Sequence, residues 1–209
     1  MLFRSVVTPI LDVAHVEDGG SVPVNFSGVF DDPDIADGDV LTYTVSYDNP
    51  VLVTGATIAG TSLTLDFGPE QNGQVNVTIQ AEDSTGQTVS DTFLVDVVAV
   101  DDDPTVVNPI ADINTAYDVP SFFIIDLTTV FDDADIATDG DSLTYTMSNS
   151  NSSLFATDTL VGSDITLQLA FDQNGSADII VTATDSTGRS VTDTFTVNVS
   201  GVNDVPIPV

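Results

Sequence analysis

Apolar and polar residues alternate along much of this chain. Every second residue is apolar in "LTYTVSY" (residues 41–47), "VNVTIQA" (75–81) and "TFTVNV" (194–199). A period of two is typical of β-strands that bury one face. Turn-forming pairs such as Asp-Gly, Asn-Gly and Thr-Gly separate these segments. The pattern therefore predicts an all-β protein, and no segment has the periodicity of a helix.

The chain repeats itself with a period of about one hundred residues. "VFDDPDIADGDVLTYTV" (29–45) recurs as "VFDDADIATDGDSLTYTM" (130–147), and "AEDSTGQTVSDTFLVDVVAV" (81–100) recurs as "ATDSTGRSVTDTFTVNVSGV" (183–202). A period of this length indicates tandem domains rather than a short-repeat solenoid. We expect two domains, residues 1–101 and 102–209. About seven strands in each is the signature of an Ig-like β-sandwich, although the Cys and Trp core residues of antibody domains are missing.

The charge is strongly acidic and limits the function classes. The 209 residues include 33 Asp and Glu but only two Lys and Arg, giving a formal net charge of −31. A nucleic-acid binder needs a basic patch, and binding to an anionic membrane is disfavoured for the same reason. The apolar runs are too short to span a membrane. The chain contains no Cys, which excludes disulfides and thiolate metal sites.

The acids gather in particular loops, which points to a hard cation. They follow the first strand, fill the "DDPDIADGD" loop, precede the final hairpin and form "VDDDP" (100–104) between the repeats. Ca²⁺ prefers such oxygen ligands, whereas zinc prefers His or Cys. The pattern is not an EF-hand: counted from Asp32, Gly stands at the seventh position, and Tyr43 stands at the twelfth instead of Glu. The alternative interpretation is a solvated acidic surface that favours solubility.

The order of these motifs resembles a known family. "DxD…GDxLTYTV", then "AxDSTG…SDTFxVxV", then "VNDxP", is similar to bacterial cadherin-like repeats, including the dystroglycan-type subgroup, over nearly the whole chain, twice. The resemblance implies tandem cadherin-like Greek-key β-sandwiches. It also implies Ca²⁺ held between consecutive domains, with ligands from the end of one domain, the linker and the start of the next.

The resemblance implies a set of calcium ligands at the junction of the repeats. The early Glu of the family matches Glu17, and the second Glu matches Glu70 more loosely. The full junction set is Glu17, Glu70, Asp101, Asp102, Asp103, Asp133, Asp135 and Asp185. Side chains alternate along extended chain, so Asp101 and Asp103 are expected to point one way and Asp102 the other. We expect Asp101 and Asp102 to be ligands, and the sequence does not decide whether Asp103 is a third.

The outer ends of the two repeats depart from the family pattern. The matching acids of the first repeat are Asp32, Asp34 and Asp83, but "LFRSVV" stands where a linker motif is expected. Arg4 is a candidate counter-charge for these acids. In the second repeat Tyr117 replaces Glu17 and Asp172 replaces Glu70, which weakens the case for a site at "VNDVP" (202–206).

Several other polar residues have simpler explanations. Turn chemistry accounts for Asp48, Asp141 and Asp164, and Asp91 and Asp193 are expected at edges or turns. His15 has no nucleophile beside it, and Tyr43 and Tyr145 are expected in the core. A glycosidase needs two carboxylates across a cleft, whereas these acids lie on loops among other acids. The sequence therefore predicts a protein that is not an enzyme.

The sequence favours a non-enzymatic, extracellular or cell-surface calcium-binding module of a large bacterial surface or secreted protein, used for adhesion or spacing. Ca²⁺ is the expected cofactor, and the expected partners are other cadherin-like domains of the same or another chain. The alternative is a carbohydrate-binding module attached to a secreted polysaccharide-degrading enzyme, with polysaccharide as its partner. Neither function involves nucleic acid or direct membrane insertion.

Overall fold

The computed structural model describes residues 5–116 and 121–201, apart from the side chains of Asp34 and Asp37. The chain divides into two units, Met1–Val100 and Asp101–Val209. In both units the described residues form mainly antiparallel strands in a pair of facing sheets, so the prediction of tandem all-β sandwiches is confirmed. No helix among the described residues is long and apolar enough to cross a membrane.

The described strands of unit 1 follow one another with short connections. They are β1 (Ser5–Val6), β2 (Val13–Val16), β3 (Val22–Asn25), β4 (Phe30–Asp31), β5 (Thr42–Tyr47), β6 (Val53–Ala59), β7 (Ser62–Phe67), β8 (Gly73–Glu82) and β9 (Thr88–Val98). One sheet has the order β2-β9-β8-β5, the facing sheet has the order β3-β7-β6, and β1 pairs with β4. The strand β2 runs parallel to β9, and the other neighbours are antiparallel.

Unit 2 repeats this topology. Its described strands are β10 (Thr105–Val106), β11 (Ile113–Ala116), β12 (Phe122–Asp126), β13 (Phe131–Asp132), β14 (Thr144–Asn149), β15 (Phe155–Val161), β16 (Asp164–Leu169), β17 (Gly175–Thr184) and β18 (Ser190–Ser200). The sheets have the orders β11-β18-β17-β14 and β12-β16-β15, and β10 pairs with β13. The duplication in sequence is thus a duplication of strand order and pairing.

The alternating pattern produces one apolar core in each unit. In β8 every second residue from Val75 to Ala81 is buried, and the residues between them are more exposed. Leu63 and Leu65 of the facing sheet are fully buried in the same cluster. Ile165 and Leu167 take these two places in unit 2. Burying each such side chain contributes about 1.5–3 kcal/mol, so the inward face of each strand is strongly specified.

The acidic loops contain single helical turns that the sequence pattern did not predict. Residues Pro33–Asp37 form a 3-10 turn in unit 1, and a single α-helical turn, α1 (Asp135–Thr138), occupies the matching loop of unit 2. Each turn ends before a glycine in the left-handed region, Gly38 at φ 100° and Gly140 at φ 75°. Segments this short leave no periodic signal in a sequence.

Two strand acids that occupy matching places in the two repeats hold the first segment of each unit in place. Asp91 on β9 accepts a hydrogen bond from the backbone N–H of Ile10 at 2.6 Å. Asp193 on β18 accepts one from Ile110 at 2.7 Å. These contacts explain the shared "DTF" motifs in structural terms, and no other role for the two carboxylates is needed.

Candidate metal centre

Three segments of unit 2 supply the candidate centre. They are the "DDD" stretch at its start, the loop between β13 and β14, and the hairpin between β17 and β18. Three of its carboxylates are buried: Asp133, Asp135 and Asp185 have exposed fractions of 4%, 3% and 5%. Buried Asp is rare without a partner of opposite charge or several hydrogen bonds, so each of these side chains requires an explanation.

Asp185 stabilises the hairpin with one carboxylate oxygen, whereas its other oxygen takes no part in the turn. Its Oδ1 accepts hydrogen bonds from the backbone N–H groups of Thr187 (2.8 Å), Gly188 (2.6 Å) and Arg189 (2.9 Å). Gly188 adopts a φ of 97°, which closes the turn. Its Oδ2 is buried with no hydrogen-bond partner among the described residues. The turn therefore holds the carboxylate in one orientation and leaves Oδ2 available as a ligand.

Asp133 and Asp135 are held in a similar way. Asp133 Oδ1 accepts the backbone N–H of Asp135 at 3.0 Å, and Asp135 Oδ2 accepts the N–H of Asp102 at 2.7 Å. The second oxygen of each, Asp133 Oδ2 and Asp135 Oδ1, is buried and has no hydrogen-bond partner within the described ranges. The backbone hydrogen bonds thus orient both carboxylates, as the Asp-x-Asp spacing requires.

The acids at the start of unit 2 point in different directions. Arg189 lies on one side, where its Nη1 is 3.1 Å from Asp103 Oδ1 and its Nε is 3.1 Å from Asp101 Oδ2. Asp102 instead has a buried Oδ2 without a hydrogen-bond partner in the described part of the chain. This is the alternation expected for extended chain. It groups Asp102 with the buried acids and leaves Asp103 mostly exposed beside Arg189.

Asp141 is a member of this cluster that the sequence interpretation assigned to turn chemistry. Its Oδ1 does take part in a turn-like contact, accepting the N–H of Ser186 at 3.3 Å. Its Oδ2, however, is buried and lacks a hydrogen-bond partner among the described residues. The signal was present in the sequence, because Asp39 and Asp141 stand at the same place in the repeated "GDxLTYT" motif.

Five carboxylates of unit 2 therefore share one property. Each has a buried oxygen with no hydrogen-bond partner in the described residues: Asp102, Asp133, Asp135, Asp141 and Asp185. An unsatisfied buried acceptor costs about 1–3 kcal/mol, more when it is charged, and native proteins contain few of them. Cations with oxygen ligands would satisfy such acceptors, and the acids are near enough to interact, because the charges of Asp141 and Asp185 act on Asp133 and that of Asp102 acts on Asp135. Ca²⁺ takes six to eight oxygens in flexible geometry, so this donor set fits Ca²⁺ and does not suit zinc.

Burial and the charges of neighbouring acids raise the pKa values of two of these carboxylates. Burial raises the pKa of Asp133, helped by the charges of Asp141, Asp185 and Asp101, although the N–H of Asp135 opposes the shift. For Asp135 the N–H of Asp102 lowers the pKa, but burial and the neighbouring charges of Asp102 and Asp133 outweigh it and raise the value. Both carboxylates thus lack an adequate counter-charge.

The pKa values of Asp185 and Asp141 move in the opposite direction. Burial would raise the pKa of Asp185, but hydrogen bonds from Arg189, Thr187 and Gly188 hold it below its usual range. A hydrogen bond from the Ser186 side chain lowers the pKa of Asp141. These two carboxylates are ionised at neutral pH, as metal ligands must be.

Unit 1 brings together the equivalent acids. Asp32, Asp39 and Asp83 each offer a carboxylate oxygen, and the three oxygens lie within 4.8 Å of one another. Asp83 Oδ1 accepts the N–H groups of Thr85 (2.8 Å) and Gln87 (2.9 Å), repeating the hairpin of Asp185. The backbone of Asp34 lies in the 3-10 turn, and its side chain lies outside the described residues. Arg4, Tyr117 and the "VNDVP" segment also lie outside them.

The two candidate glutamates of unit 1 occupy different environments. Glu17 is buried at 2% exposure; its Oε1 accepts the N–H of Val100 at 2.6 Å, and its Oε2 accepts the Asn72 side chain at 3.3 Å. Glu70 is only partly buried and adopts a left-handed φ of 53°. Asp172 has the same conformation in unit 2, with a φ of 54°. The shared turn supports the alignment of Glu70 with Asp172.

The remaining polar residues named in the sequence analysis make contacts that stabilise the fold. His15 Nε2 lies 2.9 Å from the carbonyl oxygen of Gly20, and its ring packs 4.9 Å from that of Phe67. Tyr43 packs against the core, with its ring 5.0 Å from that of Phe26. Tyr145 occupies the same place in unit 2. These positions agree with the structural interpretation of the sequence.

The comparisons with known proteins agree with the fold. No family model matches the chain, and no curated protein matches it. Among solved structures, human mucin-like protocadherin EC1-2 is 20% identical, covers 97% of this chain and 100% of its own, and has a TM-score of 0.51. The human desmocollin-1 ectodomain is 17% identical over 97% of this chain, with a TM-score of 0.47; the chain spans 41% of its length. The fold is cadherin-like.

Proposed function

We propose that this protein is a non-enzymatic, extracellular calcium-binding module of the cadherin-like type, used for adhesion or spacing. The observation that carries the proposal is the set of buried, unsatisfied oxygens on Asp102, Asp133, Asp135, Asp141 and Asp185. These side chains would hold Ca²⁺ together with Asp101. The ion would neutralise carboxylates that repel one another in its absence.

The proposal extends to the junction of the two repeats on the strength of the sequence resemblance. Glu17 and Glu70 of unit 1 would add ligands to ions held by unit 2, with Asp103 as a further candidate. Asp32, Asp34, Asp83 and Asp39 would form a second, separate site in unit 1. Shared ligands would fix the orientation of the two units when calcium is present, and the acids between them would repel one another when it is absent.

Calcium titration of the full chain tests the proposal. Extracellular modules bind Ca²⁺ with Kd values of about 10⁻⁴–10⁻³ M, so isothermal titration should show saturable binding in that range. Ca²⁺ should raise Tm and narrow the distribution of shapes seen by small-angle X-ray scattering, and chelation should reverse both changes. Mg²⁺ at the same concentration is the control, because it dehydrates reluctantly. A Tm and scattering profile unchanged by chelation would contradict the proposal.

One feature of unit 2 favours the alternative of carbohydrate binding. A groove of about 770 Å³ is lined by Phe131, Ile136, Asp141, Ser142, Tyr145 and Ser163. Aromatic and aliphatic surface beside hydroxyl and carboxylate groups is the composition expected of a ligand site. Pull-down on insoluble polysaccharides, with calcium and with chelator, tests this function. Retention on a polysaccharide that is lost in Ile136→Ala, whose side chain is 40% exposed, would support it, and no retention on any polysaccharide would argue against it.

A further inference from the structure

An edge strand of unit 2 has outward backbone groups with no partner among the described residues. The strand β12 lies at the edge of the sheet β12-β16-β15. Around it, Leu169 donates to the Ser121 carbonyl at 3.2 Å and Leu127 donates to the Ser163 carbonyl at 2.9 Å. Backbone groups alternate in direction along an antiparallel pair, so the odd-numbered residues of β12 face β16. Phe122 and Ile124 therefore direct their N–H and C=O groups outward, away from the sheet.

The same two residues expose large apolar side chains. Phe122 is 58% exposed and Ile124 is 63% exposed, and both lie on the outer face of the sheet. Their partners on β16 are Gln168 and Thr166, which are polar. A single exposed apolar residue is ordinary, but two adjacent ones on an open strand edge are a template for pairing with another strand.

Unit 1 protects the same edge, which gives a reference within the chain. Val22 pairs with Leu65 on β3 as Phe123 pairs with Leu167 on β12, and Leu65 and Leu167 match in the repeat. Ser21 and Pro23 therefore occupy the places of Phe122 and Ile124. Pro has no N–H, and proline at an outward edge position blocks the addition of a strand. Unit 2 lacks this protection and carries two exposed apolar side chains at the same places.

We propose that β12 pairs edge to edge with β12 of a second copy of this chain. An antiparallel pair about a two-fold axis can set Phe122 opposite Ile124 of the partner subunit, and the reverse contact then follows by symmetry. Each copy then covers the apolar residues of the other and satisfies its outward backbone groups. The strand is its own complement in this register, and this is why a second copy is the occupant that fits.

The charges on the strand select this register over its neighbour. A pairing centred on Ile124 would set Phe122 opposite Asp126 of the partner subunit, burying apolar surface against a carboxylate. Pairing Phe122 with Ile124 avoids that contact. The net charge of −31 on each copy opposes association, and salt screens this repulsion. The dimer should therefore strengthen with rising salt, and it does not rest on calcium binding.

Sedimentation equilibrium of the full chain tests the proposal, in calcium and in chelator, at low and high salt. We expect a monomer–dimer equilibrium that strengthens with salt. Ile124→Pro, which copies Pro23 of unit 1, should weaken it at least about tenfold, and Phe122→Ser, which copies Ser21, should weaken it less. Val161→Ser is the control, since it leaves the charge unchanged and Val161 is 75% exposed on β15, the other edge of the same sheet. A monomer under all conditions would overturn the proposal.

Cross-linking tests the register independently of whether the proline variant folds. The chain has no Cys, so single Phe122→Cys and Ile124→Cys variants each carry one thiol. In a hydrogen-bonded antiparallel pair the two Cα atoms lie about 5.5 Å apart, within the range of a disulfide. Mixing the two variants under oxidation should give a cross-linked dimer in high yield, and neither variant alone should. Equal yields from single variants and mixture would overturn this register.

Discussion

Arg189 donates a hydrogen bond to the backbone oxygen of Asp101 at 2.7 Å, while its Nε lies 3.1 Å from the carboxylate of the same residue. Asp101 Oδ2 also accepts a hydrogen bond from the Thr187 hydroxyl at 2.7 Å. The hairpin that carries Asp185 thereby contacts the first residue of unit 2 through the Arg189 guanidinium group. The corresponding position in unit 1 is Gln87, so this cation belongs to one repeat only.

Replacing Arg189 with Gln, its counterpart in unit 1, should tighten calcium binding a few-fold. The guanidinium and Ca²⁺ are both attracted to the carboxylate of Asp101, and a positive charge there repels the ion. The Arg189 side chain is 48% exposed, so its loss should cost the calcium-free protein less than about 1 kcal/mol. Isothermal titration and thermal melting measure the two effects. Weaker calcium binding in R189Q would show that Arg189 positions Asp101 rather than competing for it.

Asp133→Asn should change stability in opposite directions with and without calcium. In the calcium-free protein the carboxylate is buried among Asp141, Asp185 and Asp101, which raises its pKa. Asn keeps the oxygen that accepts the Asp135 N–H but removes the charge. The free energy of unfolding should therefore rise by about 1 kcal/mol, and Tm should rise with it. In saturating calcium the variant should melt below the wild type, because a charged ligand is lost. Melting curves with calcium and with chelator measure both changes. A variant that is destabilised in both conditions would contradict the electrostatic explanation.

The pH dependence of the calcium-free protein should reflect two opposing groups. The raised pKa values of Asp133 and Asp135 contribute stability that is present below the ordinary Asp pKa of about 4 and is lost as pH rises through the raised values. The lowered pKa values of Asp141 and Asp185 contribute stability that is present above about pH 4 and is lost as pH falls below it.

The stability of the calcium-free protein should therefore be greatest near the ordinary Asp pKa of about 4 and should fall toward neutral pH. Calcium should move the optimum upward, since protons and Ca²⁺ compete for the same oxygens. Thermal melts across pH, with calcium and with chelator, measure the shift. An optimum that stays at the same pH in both series would show that these carboxylates do not bind the ion.

Much of the fold was predictable because it rests on signals that a sequence carries directly. The alternation in residues 75–81 and 194–199 specifies which face of β8 and β18 is buried, and the repeated motifs show that the arrangement occurs twice. The helical turn at Asp135–Thr138 was not predictable, because four residues show no period. The unequal edges of β3 and β12 were missed because alternation identifies a strand but not its neighbours in the sheet.

The candidate centre was predictable in part for a related reason. Asp133, Asp135 and Asp185 stand in motifs whose spacing is fixed by backbone hydrogen bonds, so their grouping follows from the loop and hairpin sequences. Asp141 looks like an ordinary turn residue beside Gly140. Its match to Asp39 in the repeated motif is the sequence signal, and the burial of its second oxygen is visible only in the structure. Burial depends on the contact between two loops that are distant in sequence, and no local pattern reports it.

Asp141→Asn should weaken calcium binding by about tenfold, the effect of losing one charged ligand or orienting group. Asp164→Asn is the matched control, because Asp164 lies exposed on β16 and carries the same charge. Isothermal titration of both variants separates a contribution of the Asp141 oxygen from a general change in net charge. Equal affinities for the two variants would return Asp141 to the role of a turn residue.

Asp193→Ala should lower stability without changing calcium affinity. The carboxylate accepts the N–H of Ile110 at 2.7 Å, and its removal leaves a partly buried donor unsatisfied, at a cost of about 1–3 kcal/mol. Asp91→Ala removes the same contact, to Ile10, in unit 1 and serves as the internal replicate. Because each acid is tied to the first segment of its own unit, melting should report the loss, while calcium titration of folded protein should match the wild type. A loss of calcium affinity in Asp193→Ala alone, with Asp91→Ala unaffected, would instead link the first segment of unit 2 to the positions of Asp101 and Asp102.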